Sequence, residues 1–212
     1  MNRIFLDLEM NPIHKSDKEV RKICSREVIE FGAVCLDKDN KEVGTFQRYV
    51  KPEYNPKITR YIQKLTGITQ SHVEGAASFP VVFSEFIDWC GDDYELYTWS
   101  DSDLIQLRKE ATAKNCNQAI RTTYLYSHWK DLQKEFGDLL FLEKKSSLKN
   151  AVCNADIAFV GCEHSALGDA LTTAELFKEM EQGQTLKYVR RMLSDAREPI
   201  GTSLGQLIEQ IA

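Results

Sequence analysis

Two carboxylates, Asp7 and Glu9, stand two residues apart in the strand-like opening run RIFLDLEMNP. Side chains alternate faces along a strand, so residues i and i+2 point the same way, about 6 to 7 Å apart. Two like charges at about 6 Å in an effective dielectric near ~20 repel by about 3 kcal/mol, and hydrophobic neighbours make solvation harder. The pair calls for positive charge beside it. YTWSDSDLIQL places Asp101 and Asp103 where a strand gives way to a helix, the edge at which open α/β sheets build their sites. HSALGDA places His164 just before a helix and Asp169 in its first turn. Each of these also has a plainer reading. Ser100 with Asp103 fits an S-x-x-D capping box, Asp169 gains from the helix dipole, and a lone histidine is commonly a surface residue. The acidic pair on the first strand is the hardest to explain structurally.

The elements that must position these groups follow from periodicity. REVIEFGAVCLD and EVGTFQRYV flank the turn KDNK and read as an antiparallel hairpin, which with the first strand makes a three-strand opening. SFPVVFSEFIDWCG carries Phe79, Val82, Phe83, Phe86, Ile87 and Cys90 at helical spacing, with Pro80 early and Gly91 just after, and predicts a core-packing helix. YELYTWS predicts a short strand and DSDLIQLRKEATAKN a helix with Leu104, Leu107 and Ala111 on one side. TTYLYSHWKDLQKEFG predicts a fifth short strand and a helix. SSLKNAVCNA and HSALGDALTTAELFKEM predict two more helices, the second burying Ala170, Leu171, Ala174 and Phe177. Strands first, then alternation of strand and helix, imply an α/β sheet with helices on its faces. The texture changes from Gln182 onward, where TLKYVRRML and SLGQLIEQI are short amphipathic segments. The chain thus divides into a domain over 1–181 and a helical extension over 182–212, which either docks on the domain or pairs with another protein or another copy.

Composition excludes several classes. The 212 residues suffice for one domain with a substantial core. No apolar run approaches the roughly 20 residues that span a bilayer, and the N-terminus shows no secretory pattern. Six scattered cysteines without a C-x-x-C pair suggest reduced thiols in a cytoplasmic setting rather than a disulfide framework or structural zinc. The net charge of −5 argues against coating long duplexes through a basic face, yet allows a grip on a few nucleotides. Lys15 to Arg26 is locally basic and reads either as a solvated loop or, since it follows the acidic strand, as a contact for substrate.

In order and spacing the motifs resemble those of the DEDDh 3′-to-5′ exonucleases. FLDLEM resembles the family's D-x-E strand, TWSDSDLIQL its second motif, and HSALGDA its H-x-x-x-x-D, with IQKLTGIT between them matching a further family segment. The resemblance covers residues 3 to about 180. It implies a ribonuclease-H-like fold, with a five-stranded mixed sheet whose second strand runs antiparallel to its neighbours, flanked by helices. The family's W-G-x-x-D spacing selects Asp103 over Asp101, with Ser100 in place of the glycine. The implied ligand set is Asp7, Glu9, Asp103 and Asp169, hard oxygen donors suited to two Mg²⁺ or Mn²⁺ ions about 4 Å apart. His164 is then the general base on the attacking water. Met10, Leu65, Thr66 and Trp99 are candidates for holding the terminal nucleotide by apolar contact and stacking. The expected partners are 3′ ends of single-stranded RNA or DNA, with RNA or short oligonucleotides favoured, and no membrane. The alternatives are a catalytically inactive or an endonucleolytic member of the same fold.

Overall fold

The computed structural model describes residues 1–117 and 120–183. Strand β1 (Asn2–Pro12) opens the chain, and a short helix α1 (Lys18–Ile23) leads into β2 (Arg26–Leu36) and β3 (Glu42–Lys51). Helices α2 (Arg60–Thr66) and α3 (Gln70–Glu74) precede the two-residue β4 (Ala77–Ser78) and the helix α4 (Phe79–Cys90). Then follow β5 (Tyr94–Thr98), α5 (Ser102–Ala113), α6 (Ile120–Ser127), β6 (Trp129–Asp131), α7 (Leu132–Leu139), α8 (Leu148–Asn154) and α9 (Ala166–Glu181). The sheet order is β4-β3-β2-β1-β5-β6, with β2 antiparallel to both neighbours and β1, β5 and β6 parallel. Five strands match the expected mixed sheet, and the sixth, β4, adds two residues to its edge. The basic stretch expected as a loop folds partly into α1, and TTYLYSHWKDLQKEFG supplies its expected short strand and helix as β6 and α7, with TTYLY itself in the preceding helix α6. The amphipathic segments expected over 182–212 lie, beyond Gly183, outside the described residues. No described helix is long and apolar enough to cross a membrane, and all six cysteines are unpaired.

The alternation of β1 sorts its side chains between two cores. Ile4, Leu6 and Leu8 join Phe31, Phe83, Phe86 and Leu107, on the side of α4 and α5. Phe5 faces the other way, against Tyr97 and Phe177, with ring centroids 5.2 Å from each. Asp7 and Glu9 share the face of Phe5 by the same period of two. Helix α9 therefore covers the apolar end of this face near its C-terminus and leaves its N-terminal turn over the acidic end.

That placement needs a gap in the sheet surface. Gly32 pairs with Asp7 across β1 and β2, and a Cβ at this position would lie 2.0 Å from the Leu167 nitrogen and 2.1 Å from the Ala166 carbonyl carbon. The first turn of α9 thus rests directly on the backbone of β2. Gly168 packs against Cys162 in the same way, a Cβ there falling 2.7 Å from the Cys162 oxygen. Backbone cannot move aside as a flexible side chain can, so Gly32→Ala should displace the start of α9. We expect destabilisation of at least about 1 to 3 kcal/mol in denaturant unfolding, the usual range for overpacking. An unchanged midpoint would show that α9 does not need this approach.

Candidate active site

Three separate elements deliver the acids. β1 pairs with β5 only as far as Phe5, so Asp7 and Glu9 lie beyond the end of β5, where the start of α5 reaches in. Asp103, in the first turn of α5, is 6% exposed; its carboxylate accepts hydrogen bonds from the Ser102 hydroxyl (3.4 Å) and the Leu8 N–H. The capping box expected from Ser100 does not form: Asp101 occupies the N-cap, and Ser100 Oγ bonds Ser102 Oγ at 2.6 Å instead. Asp101 is exposed and pairs with Lys145 at 3.7 Å. Asp103, and not Asp101, lines the cleft with Asp7 and Glu9.

His164 and Asp169 come from the α9 entry. His164 adopts a left-handed φ of 62°, a conformation histidine tolerates better than most non-glycine residues. Its backbone N–H lies beside the Asp169 carboxyl and opposes the rise of its pKa. Ligand atoms of Glu9, His164 and Asp169 lie within 4.8 Å of one another. Asp7, Glu9, Asp103, His164 and Asp169 all line one open cleft of about 560 Å³.

Met10, Leu65 and Trp99 line the same cleft. Trp99 is also part of the scaffold, donating from Nε1 to the Ser146 oxygen at 3.1 Å and packing edge-on to Phe136. Thr66 does not line the cleft; its hydroxyl donates to the Ile62 oxygen (2.9 Å) and accepts from the Ile68 N–H (3.0 Å), which stabilises the turn after α2. Two further residues also reach the cleft: Tyr61, not singled out from sequence, and Arg26, the last of the basic stretch read as a loop or a substrate contact. Glu30 is a buried fifth carboxylate directly opposite Glu9, and a β-bulge follows that pair. Glu30 accepts from Gln47 Nε2 at 2.7 Å and from the first N–H of α9, at Ala166, at 3.2 Å. Its sequence signal was an acid within the apolar run VIEFGAV, the same anomaly that marked Asp7 and Glu9.

The acids strain against one another. Burial, then the charges of Asp103, Asp169, Glu9 and Glu30, hold Asp7 well above the ordinary carboxylate range. Burial first, with Asp169, Glu30 and Asp103 next, pushes Glu9 up to about 8. Asp103 rises to about 7, with burial outweighing its hydrogen bonds, and Asp169 to about 7, with burial outweighing the His164 N–H. Asp169 Oδ1 is buried without a hydrogen-bond partner. An all-oxygen donor set, mutually repelling and with an orphaned oxygen among it, fits hard divalent cations.

The protonation of these acids sets a sign for stability. Their pKa values are raised by folding, so the folded, metal-free protein holds more protons than the unfolded chain between about pH 4 and pH 8. The associated stability is present below about pH 4 and is lost as pH rises through 7 and 8. In excess chelator the melting temperature should fall from pH 6 to pH 8, and Asp7→Asn should flatten that fall. Mn²⁺ should raise the melting temperature more at pH 8 than at pH 6. A chelated protein whose stability rises over this interval would contradict the electrostatic account.

A sequence model of the exonuclease family RNase_T matches residues 4–177. The chain is 30% identical over 193 residues to human (Homo sapiens) ERI1 exoribonuclease 2, the match covering 79% of this chain and 27% of that protein. It is 26% identical over 186 residues to mouse (Mus musculus) 3′-5′ exoribonuclease 1, covering 84% of this chain and 54% of that one. The chain therefore spans about a quarter to a half of these relatives. Among solved structures, the nuclease domain of 3′hExo, a DEDDh family member bound to rAMP, superposes with a TM-score of 0.72 at 25% identity, over 85% of this chain and 92% of that one.

Proposed function

The chain belongs to the RNase_T exonuclease family, and from that premise we propose that it is a metal-dependent 3′-to-5′ exonuclease that releases nucleoside 5′-monophosphates from RNA or short single-stranded oligonucleotides. One observation carries this reading: Asp7, Glu9, Asp103 and Asp169 converge from three elements on one open cleft with His164 at its rim. The names of the relatives and the rAMP in the 3′hExo structure favour RNA as substrate. Unpaired thiols fit a reducing, cytoplasmic setting.

Asp7, Glu9, Asp103 and Asp169 would hold two divalent cations, Mg²⁺ or Mn²⁺. When bound, these supply positive charge to the phosphate and its leaving oxygen and make water a stronger nucleophile. His164 is exposed to solvent on one side and faces the acids on the other, so it takes the proton from the attacking water. The water oxygen bonds to phosphorus, the bond from phosphorus to the upstream 3′ oxygen breaks, and that oxygen leaves with the bonding pair and takes a proton from solvent in the open cleft to become the 3′ hydroxyl. Met10, Leu65 and Trp99 offer apolar contact to the terminal nucleotide. Thr66 acts on it only by shaping the turn after Leu65.

The test is product analysis on matched RNA and DNA oligonucleotides labelled at the 5′ end, with Mg²⁺ and again with Mn²⁺. Expected is stepwise shortening from the 3′ end with 5′-monophosphates as products, and no shortening in chelator. His164→Ala should lower the rate by about 10² to 10⁴ with oligonucleotide binding retained, the usual share of a general base. Asp103→Asn should abolish shortening, whereas Asp101→Asn should retain most of it. Internal cuts would make the enzyme an endonuclease. Tight binding without turnover would make it a binding protein of this fold.

A further inference from the structure

The catalytic acids leave one question about the substrate unanswered: what holds the strand upstream of the cleaved bond against a cleft of four carboxylates. Among the residues lining the cleft, Arg26 is the one Lys or Arg. Its side chain is exposed, and among the described residues its guanidinium has neither a hydrogen-bond partner nor a carboxylate partner. Two of its neighbours in the basic stretch are engaged elsewhere, Arg21 donating to the Ile13 oxygen at 2.6 Å and Lys22 pairing with Glu19 at 2.7 Å.

The backbone of Arg26 is fixed although its side chain is not. Its carbonyl accepts from Gln106 Nε2 at 2.9 Å and from Cys24 Sγ at 2.7 Å, both donors being buried. Gln106 lies one turn after Asp103 on the same helix, so the cation is indexed to the helix that carries the third acid. Arg26 pairs with Pro12, three residues past Glu9 and therefore about 10 Å further along β1. Tyr61, 70% exposed, reaches the same cleft from the first turn of α2. The entry to α2 is tied to β1 by Asn11, which accepts from the Thr59 N–H at 3.3 Å and donates to the Asn55 and Lys57 oxygens at 3.1 Å. A free guanidinium and an open aromatic ring, each on a braced backbone, match what single-stranded nucleic acid needs: charge for phosphate and a face for a base.

We propose that Arg26 and Tyr61 form an upstream nucleotide subsite, Arg26 binding a phosphate 5′ of the cleaved bond and Tyr61 stacking on its base. The subsite rests on the exonuclease reading above and adds a length dependence to it. A substrate with one nucleotide cannot reach it; an oligonucleotide can.

The test compares an RNA oligonucleotide with p-nitrophenyl uridine 5′-phosphate, which lacks any upstream nucleotide. Arg26→Ala and Tyr61→Ala should each lower kcat/KM on the oligonucleotide about 10-fold more than on the ester, mainly through KM. Tyr61→Phe should restore the ratio, since the ring is kept. In Ca²⁺, binding of the oligonucleotide by Arg26→Ala should show a salt slope shallower by about 0.7, the share of one phosphate contact on a single strand. Lys38→Ala, on the distant hairpin turn, controls for general charge and should change neither substrate. Equal losses on both substrates, or none on either, would overturn the subsite. Should the wild type bind the oligonucleotide yet cleave neither substrate, the exonuclease reading falls, and the binding measurements still decide the subsite.

Discussion

The seating of the first turn of α9 on the bare backbone at Gly32 is the contact on which the rest depends. It brings a helix start within reach of a strand without any intervening side chain. Asp169 and His164 thereby meet Asp7 and Glu9, although more than 150 residues separate them in sequence. Glu30 reinforces the seat by accepting the Ala166 N–H, and the positive end of the helix dipole lies over the acids. Phe177, further along the same helix, anchors it through Phe5 and Tyr97. One helix thus joins an apolar clamp at one end to the chemistry at the other.

The protein treats its buried charges in two opposite ways. Glu27, Glu110 and Lys114 are each almost wholly buried and satisfied: Lys114 bonds both acids, and Glu27 takes the N–H groups of Glu53, Tyr54 and Asn55. Removing one member of such a set typically costs about 3 to 5 kcal/mol, because it strands the other charges. Around Asp7 the acids have no comparable cation among the described residues, and their protonation is shifted upward together. The contrast separates a set of charges that locks the fold from a set left open for a ligand.

Much of this was legible in the sequence, for physical reasons. The burial of Phe79, Val82, Phe83, Phe86, Ile87 and Cys90 follows the helical period of α4, and the hairpin of β2 and β3 follows alternation around a polar turn. The four acids and His164 stood out because charged residues at strand faces and element ends are costly unless used. Thr66 misled, since a hydroxyl beside an apolar contact residue looks available until the turn consumes both its donor and its acceptor. Gly32 and Tyr61 were not singled out because their meaning depends on what lies across the sheet or across the cleft. A glycine in EFGAV carries no mark of the helix that will press on it. The helix α6 was not distinguished because the β-branched and aromatic residues of TTYLY carry little helical signal of their own.

The bonds of Asn11 have a mechanical consequence. Asn11 sits two residues past Glu9 on the same strand and holds the loop that begins α2, whose Tyr61, Ile62 and Leu65 form one wall of the cleft. The wall and the two acids of β1, Asp7 and Glu9, are therefore held to one strand, like the jaw and the stop of a gauge. The span from stop to jaw is set by one strand and by the three hydrogen bonds of a single side chain on it.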